Sequence, residues 1–130
     1  MFLFLRKISR KLYVPLIWSV ITQTLLSIPG SLFQGPGLFF RIPEADKIAH
    51  VILFGGLMLF WGLFFTQKKG NVNHRVLWTI FIILCLYGVA IEFFQFHFIP
   101  NRSFDNGDIV ADVCGVLCGY LATLAVAKKN

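Results

Sequence analysis

The chain has 130 residues, of which 57% are hydrophobic, 16% aromatic and only 14% charged, and its mean hydropathy is +0.74. A soluble domain is roughly 45–50% apolar and about 25% charged, and a chain this short buries only about 60–70% of its surface on folding. The composition excludes an ordinary soluble domain and a disordered chain, and predicts an all-α integral membrane protein.

Four charge-poor runs predict four spans in one membrane domain covering residues 1–130. The first is 12–28, ended by Pro29 and Gly30 and followed by further breakers at Gly35, Pro36 and Gly37. The second is 48–66. The third is 76–99, interrupted only by Glu92, and the fourth is 109–127. The runs are continuous rather than alternating, which argues against a β-barrel. The basic stretch before the first run resembles a secretory leader, but the run is long for one and no small-residue cleavage site follows, so it is expected to stay as an anchor. Met1 to Leu5 is too short to span and is expected to lie at the interface.

An even number of spans puts both termini on one side. Arg6, Lys7, Arg10, Lys11, Lys68, Lys69, Arg75, Lys128 and Lys129 fall on that side; Arg41, Lys47 and Arg102 fall on the other. Lysine and arginine mark the cytoplasmic face, so the expectation is a four-helix membrane bundle with N and C inside. The net charge of +6 reads as this topological signal, and no nucleic-acid partner is expected. Cys85, Cys114 and Cys118 all lie in apolar runs without a C-x-x-C pair and are expected to pack as small apolar residues.

The polar residues inside and beside the spans carry the functional reading, because such residues are costly in a bilayer. Asp46, Lys47 and His50 open the second span at its outer end. Glu92 and Gln95 lie near the outer end of the third. Arg102, Asp105, Asp108 and Asp112 occupy the last outer loop and the start of the fourth. Three spans thus bring polar groups to one level. Asp46 and His50 are i, i+4; Glu92 and Gln95 are i, i+3. Asp108, Asp112, Gly115 and Gly119 form one stripe, in which Gly115-x-x-x-Gly119 admits a close neighbouring backbone. The glycine side is therefore expected to face the bundle and to carry both aspartates inward beneath an outward-opening pocket.

The bland alternatives are specific. Asp46, Asp105 or Asp108 could cap a helix, and Lys47 and Arg102 could satisfy Glu92 or an aspartate. Asp105 reads as a cap and Glu92 as a site residue. His74 is expected in a cytoplasmic loop and His97 at the interface. Trp61 and Trp78 suit an inner aromatic belt, and Phe39 and Phe40 a dip into the bilayer. Ser27, Ser31 and Ser103 lie in no nucleophile motif. His50, Glu92, Asp108 and Asp112 have acceptable metal-ligand types, but no H-E-x-x-H spacing is present, so neither a metal nor another cofactor is expected.

Asp46-Lys47-x-x-His50, Glu92-x-x-Gln95, Arg102, and Asp108-x-x-x-Asp112-x-x-Gly115-x-x-x-Gly119, in this order, resemble the VanZ-like family over about residues 15–125. The family commonly has Asn where this chain has Asp112, a departure that adds a potential negative charge. The resemblance implies a small bacterial membrane protein of the cell envelope, in a family whose named member is associated with low-level teicoplanin resistance. Together with the residues, it frames three readings. The first is a site that binds a lipid head group, a lipid-linked envelope precursor or a glycopeptide-related ligand, with Asp46, Lys47, His50, Glu92, Gln95, Arg102, Asp108 and Asp112 as binding residues. Here Lys47 and Arg102 would contact phosphate. The second is an intramembrane hydrolase or transferase with Glu92 or His50 as general base. The third is a structural subunit of a membrane complex. A transporter would need a polar path through the inner half, which the sequence does not offer.

Overall fold

A computed structural model describes residues 11–29, 44–68 and 72–128, with Met1, Phe4, Lys7 and Ile8 before them. Among the described residues there are four principal helices and no strand: α1 (Tyr13–Leu26), α2 (Ala45–Lys68), α3 (His74–Phe98) and α4 (Asn106–Lys128). Arg6, Arg10, Gly30, Ser31, Gly35, Pro36, Gly37, Phe39, Phe40, Arg41, Lys69 and Lys129, on which parts of the sequence reading rest, lie outside the described residues.

Each helix end has a local cause. Pro15 fits the first turn of α1, where its missing N–H has no helical partner to lose. The Ser27 hydroxyl folds back on the Gln23 carbonyl at 2.7 Å, just before Pro29. Asn73 caps α3 by accepting from Arg75 N and Val76 N, so His74 is the first residue of a helix and not a loop residue as expected. α3 ends at Phe98, ahead of Pro100. Asp105 caps α4: its Oδ1 accepts from Gly107 N at 2.7 Å.

Ala45–Thr66, His74–Phe98 and Asn106–Ala127 are long and apolar enough to cross a membrane. α1 has only 14 residues, about 21 Å of helix against a hydrocarbon core of about 30 Å. This is shorter than the run 12–28 suggested, because the Ser27 turn closes it early. The outer surface is apolar, with Ile82, Ile83, Leu86, Phe96, Leu117 and Leu121 all exposed, as lipid-facing helices require.

The tightest pairing is α2 against α4, and glycine makes it possible. A Cβ at Gly115 would sit 2.5 Å from the Val51 carbonyl oxygen, and one at Gly119 would collide with the Gly55 carbonyl. Gly55 and Gly56 serve different neighbours of α2. Gly55 meets Gly115, while Gly56 receives the Trp18 indole of α1, whose Nε1 donates to Leu53 O at 3.0 Å. Below this crossing Phe54, Leu57, Met58, Leu77, Leu84 and Val116 form the buried apolar core.

Candidate functional site: a buried carboxylate and imidazole cluster

Because the glycine stripe turns α4 toward α2, the aspartates one and two turns earlier on that stripe face inward with it. Asp108 is 4% exposed and Asp112 0%. His50 on α2 and Glu92 on α3 are also at 0%, and Gln95 is at 1%. Three helices therefore contribute to one dry polar cluster at the end of the bundle where α2 and α4 begin and α3 ends.

At its centre His50 Nδ1 lies 2.8 Å from Asp112 Oδ1. The other ring nitrogen, Nε2, is 3.9 Å from Asp108 Oδ2. Asp112 also presses on α3, since a Cβ at Gly88 would lie 2.7 Å from its Oδ2. Gly88 is one turn before Glu92, so Asp112 is level with Gly88 and Glu92 sits about one turn, roughly 5–6 Å, nearer the helix end. The two carboxylates thus differ in depth, where sequence counting suggested similar depths. Glu92 Oε2 accepts from Asp105 N at 3.0 Å, tying α3 to the start of α4.

The rim is ionic. Lys47 Nζ lies 2.6 Å from Glu44 and 3.0 Å from Asp105, with Asp108 at 3.9 Å. Arg102 Nη1 donates to Asp46 Oδ2 at 2.7 Å. The two cations expected to meet phosphate are held by carboxylates of the protein. Asp105, outside the spans, has its carboxyl pKa lowered by the hydrogen bond from Gly107 N and by the Lys47 ammonium.

Each predicted residue has a place. His50, Glu92, Asp108 and Asp112 converge; Asp46, Lys47 and Arg102 form the rim. Gln95 turns away from the centre, its Nε2 donating to the Leu26 carbonyl of α1 at 2.9 Å. In place of the four-ligand set considered from the sequence, Asp46, His50 and Asp108 are the groups whose ligand atoms gather, all within 4.8 Å of one another. Asp105 is the cap expected. Apart from the cluster, a groove of about 380 Å³ is lined by Ser19, Gln23, Leu57, Trp61, Leu84 and Tyr87.

Among the described residues, four buried atoms in the cluster have no hydrogen-bond partner: His50 Nε2, Glu92 Oε1, Asp108 Oδ1 and Asp112 Oδ2. Buried polar atoms are usually paired, so a concentration of exceptions at one place is a functional signal.

Several minor expectations are revised. Cys114 and Cys118 are exposed on the outer face of α4 instead of packed in the bundle, while Cys85 is partly buried. Trp61 is no simple belt residue, since its Nε1 donates to Ser19 Oγ at 3.1 Å. Trp78 is 53% exposed, with its ring tilted 43° against that of Tyr120 at 5.6 Å. His97 is exposed, its Nδ1 donating to Phe93 O at 2.8 Å. Sequence reading missed Trp18, and also Tyr87, whose hydroxyl donates to Gln23 Oε1 at 2.6 Å. The Gly55-Gly56 doublet was the available signal for the first; nothing local signals the second.

A family model described as VanZ/LLP1 matches residues 2–127. No curated protein and no solved structure matches the chain.

Proposed function

The chain belongs to the VanZ/LLP1 family, and from that premise we propose that it is a bacterial envelope protein of the plasma membrane that binds the polar head of a lipid or lipid-linked envelope precursor. The observation that carries this is the gathering of His50, Glu92, Asp108 and Asp112 from three helices, each with a buried atom that lacks a hydrogen-bond partner. A polar head group of hydroxyls, amides and phosphate offers donors to the carboxylates and acceptors to the rim cations. Phosphate would exchange with Asp46 for Arg102 and with Asp105 for Lys47, so entry costs ion pairs that are partly exposed and individually weak. The basic asymmetry of the sequence supports a reading in which this end of the bundle faces outside and the N and C termini lie inside. An effect on teicoplanin susceptibility is the cellular consequence proposed from the family.

The test is lipid co-purification. Wild type, Arg102→Ala and Lys47→Ala are purified in mild detergent, checked for monodispersity, and their retained lipids quantified by mass spectrometry. Retention should fall about threefold or more in the variants; equal retention at equal folding refutes the reading. Alanine variants of Glu92, Arg102 and Asp108 should also shift envelope-antibiotic sensitivity.

One observation favours a second reading, an intramembrane hydrolase or transferase. Asp112 Oδ1 holds His50 by Nδ1 and leaves Nε2 without a hydrogen-bond partner, the orientation a general base uses. Turnover of a lipid-linked substrate by wild type and its loss in His50→Gln would select it over binding alone.

A further inference from the structure

We propose that Asp46, His50 and Asp108 form a binding site for one divalent transition-metal ion of the Zn²⁺ type. One ligand atom from each of the three lies within 4.8 Å of the other two. The acidic grouping alone would mean little, but His50 adds an independent observation. It is fully buried, and its Nε2 has no hydrogen-bond partner while standing 3.9 Å from Asp108 Oδ2.

That separation is too long for a hydrogen bond. Ligand atoms about 2.0–2.1 Å from a tetrahedral Zn²⁺ lie about 3.3 Å apart. Closing the His50–Asp108 gap takes a few tenths of an ångström from each of those two side chains, and drawing in Asp46, within 4.8 Å, takes up to about 1.5 Å more of adjustment at the exposed rim. Asp108 Oδ1 is likewise buried without a hydrogen bond.

Asp112 supplies the outer support such sites need. With Asp112 ionised and the imidazole neutral, Nδ1 donates to Asp112, which leaves the Nε2 lone pair facing Asp108. A metal-ligating histidine almost always gives its other N–H to a carboxylate, carbonyl or water. Asp112 is thus a positioning residue.

Charge balance points the same way. The carboxylates of Asp46, Asp108 and Asp112 surround a single imidazole. Arg102 sits on Asp46, and Lys47 is no nearer to Asp108 than 3.9 Å. A divalent ion offsets the excess negative charge where water is excluded. Imidazole with two carboxylates suits Zn²⁺ or Mn²⁺ better than soft-ligand metals. Three protein ligands leave a fourth position for a water or a polar ligand group.

The site stands on this geometry whether or not a lipid head group binds. It is tested on untagged protein carrying Cys114→Ser and Cys118→Ser, so that the exposed i, i+4 thiols cannot take up metal. The protein is stripped with chelator in detergent and titrated with ZnCl₂ alone. One equivalent should bind and raise the melting temperature. Asp46→Asn and Asp108→Asn should weaken binding at least tenfold, and His50→Gln should abolish it. Asp46 is partly exposed, so its variant keeps the test valid if His50→Gln does not fold. No zinc uptake by the unsubstituted site, or unchanged affinity in folded Asp46→Asn and Asp108→Asn, overturns the proposal. Phospholipid is measured in the same samples, so that failure of zinc binding and failure of lipid binding are read separately.

Discussion

His50 and Asp112 meet at 2.8 Å with both side chains inaccessible to solvent, and the pair is the polar counterpart of the glycine crossing that brings α2 and α4 together. Gly115, three residues after Asp112, lets the Val51 carbonyl approach, and Val51 follows His50. The close backbone approach fixes the distance at which imidazole and carboxylate meet. Replacing Asp112 by alanine leaves Nδ1–H without its acceptor in a dry interior, a loss of roughly 1–3 kcal/mol. Asp112→Asn retains an oxygen and should recover most of it. Thermal unfolding in detergent checks both; an alanine variant as stable as wild type contradicts the pairing.

The glycines should differ in a graded way. Alanine gains roughly 1 kcal/mol of helix propensity over glycine, while overpacking costs about 1–3 kcal/mol. At Gly55 the nearest contact to an added Cβ is 3.2 Å, so the two effects are expected to offset. At all three the obstacle is a backbone carbonyl oxygen, which cannot rotate away, but at Gly115 and Gly119 it stands far closer than the 3.2 Å at Gly55. Gly115→Ala and Gly119→Ala should therefore destabilise, and Gly55→Ala should be close to neutral. Chemical denaturation of the three variants in one detergent ranks them, and equal stability across the series would contradict the close crossing.

How much of this was legible in the sequence follows from what each feature depends on. The long spans were legible because lipid selects uninterrupted apolar runs, and the inward turn of Asp108 and Asp112 because they share a helical stripe with Gly115 and Gly119. Asp105 was readable as a cap from its position alone. The short α1 was not, since the Ser27 turn, and not composition, ends it. Gln95 shares a helix with Glu92 but reaches α1, and the depths of Glu92 and Asp112 depend on how α3 and α4 slide past each other. Lys47 and Arg102 fall at one end of the bundle, as the sequence grouped them; the local i, i+3 spacing could have signalled the Lys47–Glu44 pair, but Asp105 reaches Lys47, and Asp46 reaches Arg102, from far along the chain. Such pairings are set by tertiary geometry, which periodicity does not encode.

α1 is held by a few directional contacts and should detach first. Trp18 donates to Leu53 O at 3.0 Å and fills the space at Gly56; Gln95 donates to Leu26 O at 2.9 Å. Each hydrogen bond is worth about 0.5–1.5 kcal/mol. Trp18→Phe combined with Gln95→Leu should raise amide hydrogen exchange across Tyr13–Leu26 by about tenfold or more, with little change in α2 and α4. Uniform acceleration throughout the protein would mean that α1 is no separate unit of stability.

Acid should loosen the rim through Asp105. Its folded pKa is held below the ordinary 3.8, first by the hydrogen bond from Gly107 N and then by Lys47. A lowered carboxylate pKa means that the unfolded chain takes up the proton more readily than the folded one. The stabilisation is therefore complete above pH 3.8 and is lost as pH falls toward the folded value. Asp105→Asn keeps an oxygen to cap α4 but has no proton to bind in this range and no charge for Lys47. Its melting temperature should fall less steeply than that of wild type as pH drops below 3.8, while the two curves run parallel at neutral pH. Detergent-solubilised protein followed by scanning fluorimetry gives both limbs. Identical slopes in acid would mean that the Asp105 carboxylate, at the junction of Glu92, Lys47 and the start of α4, contributes nothing to holding the rim closed.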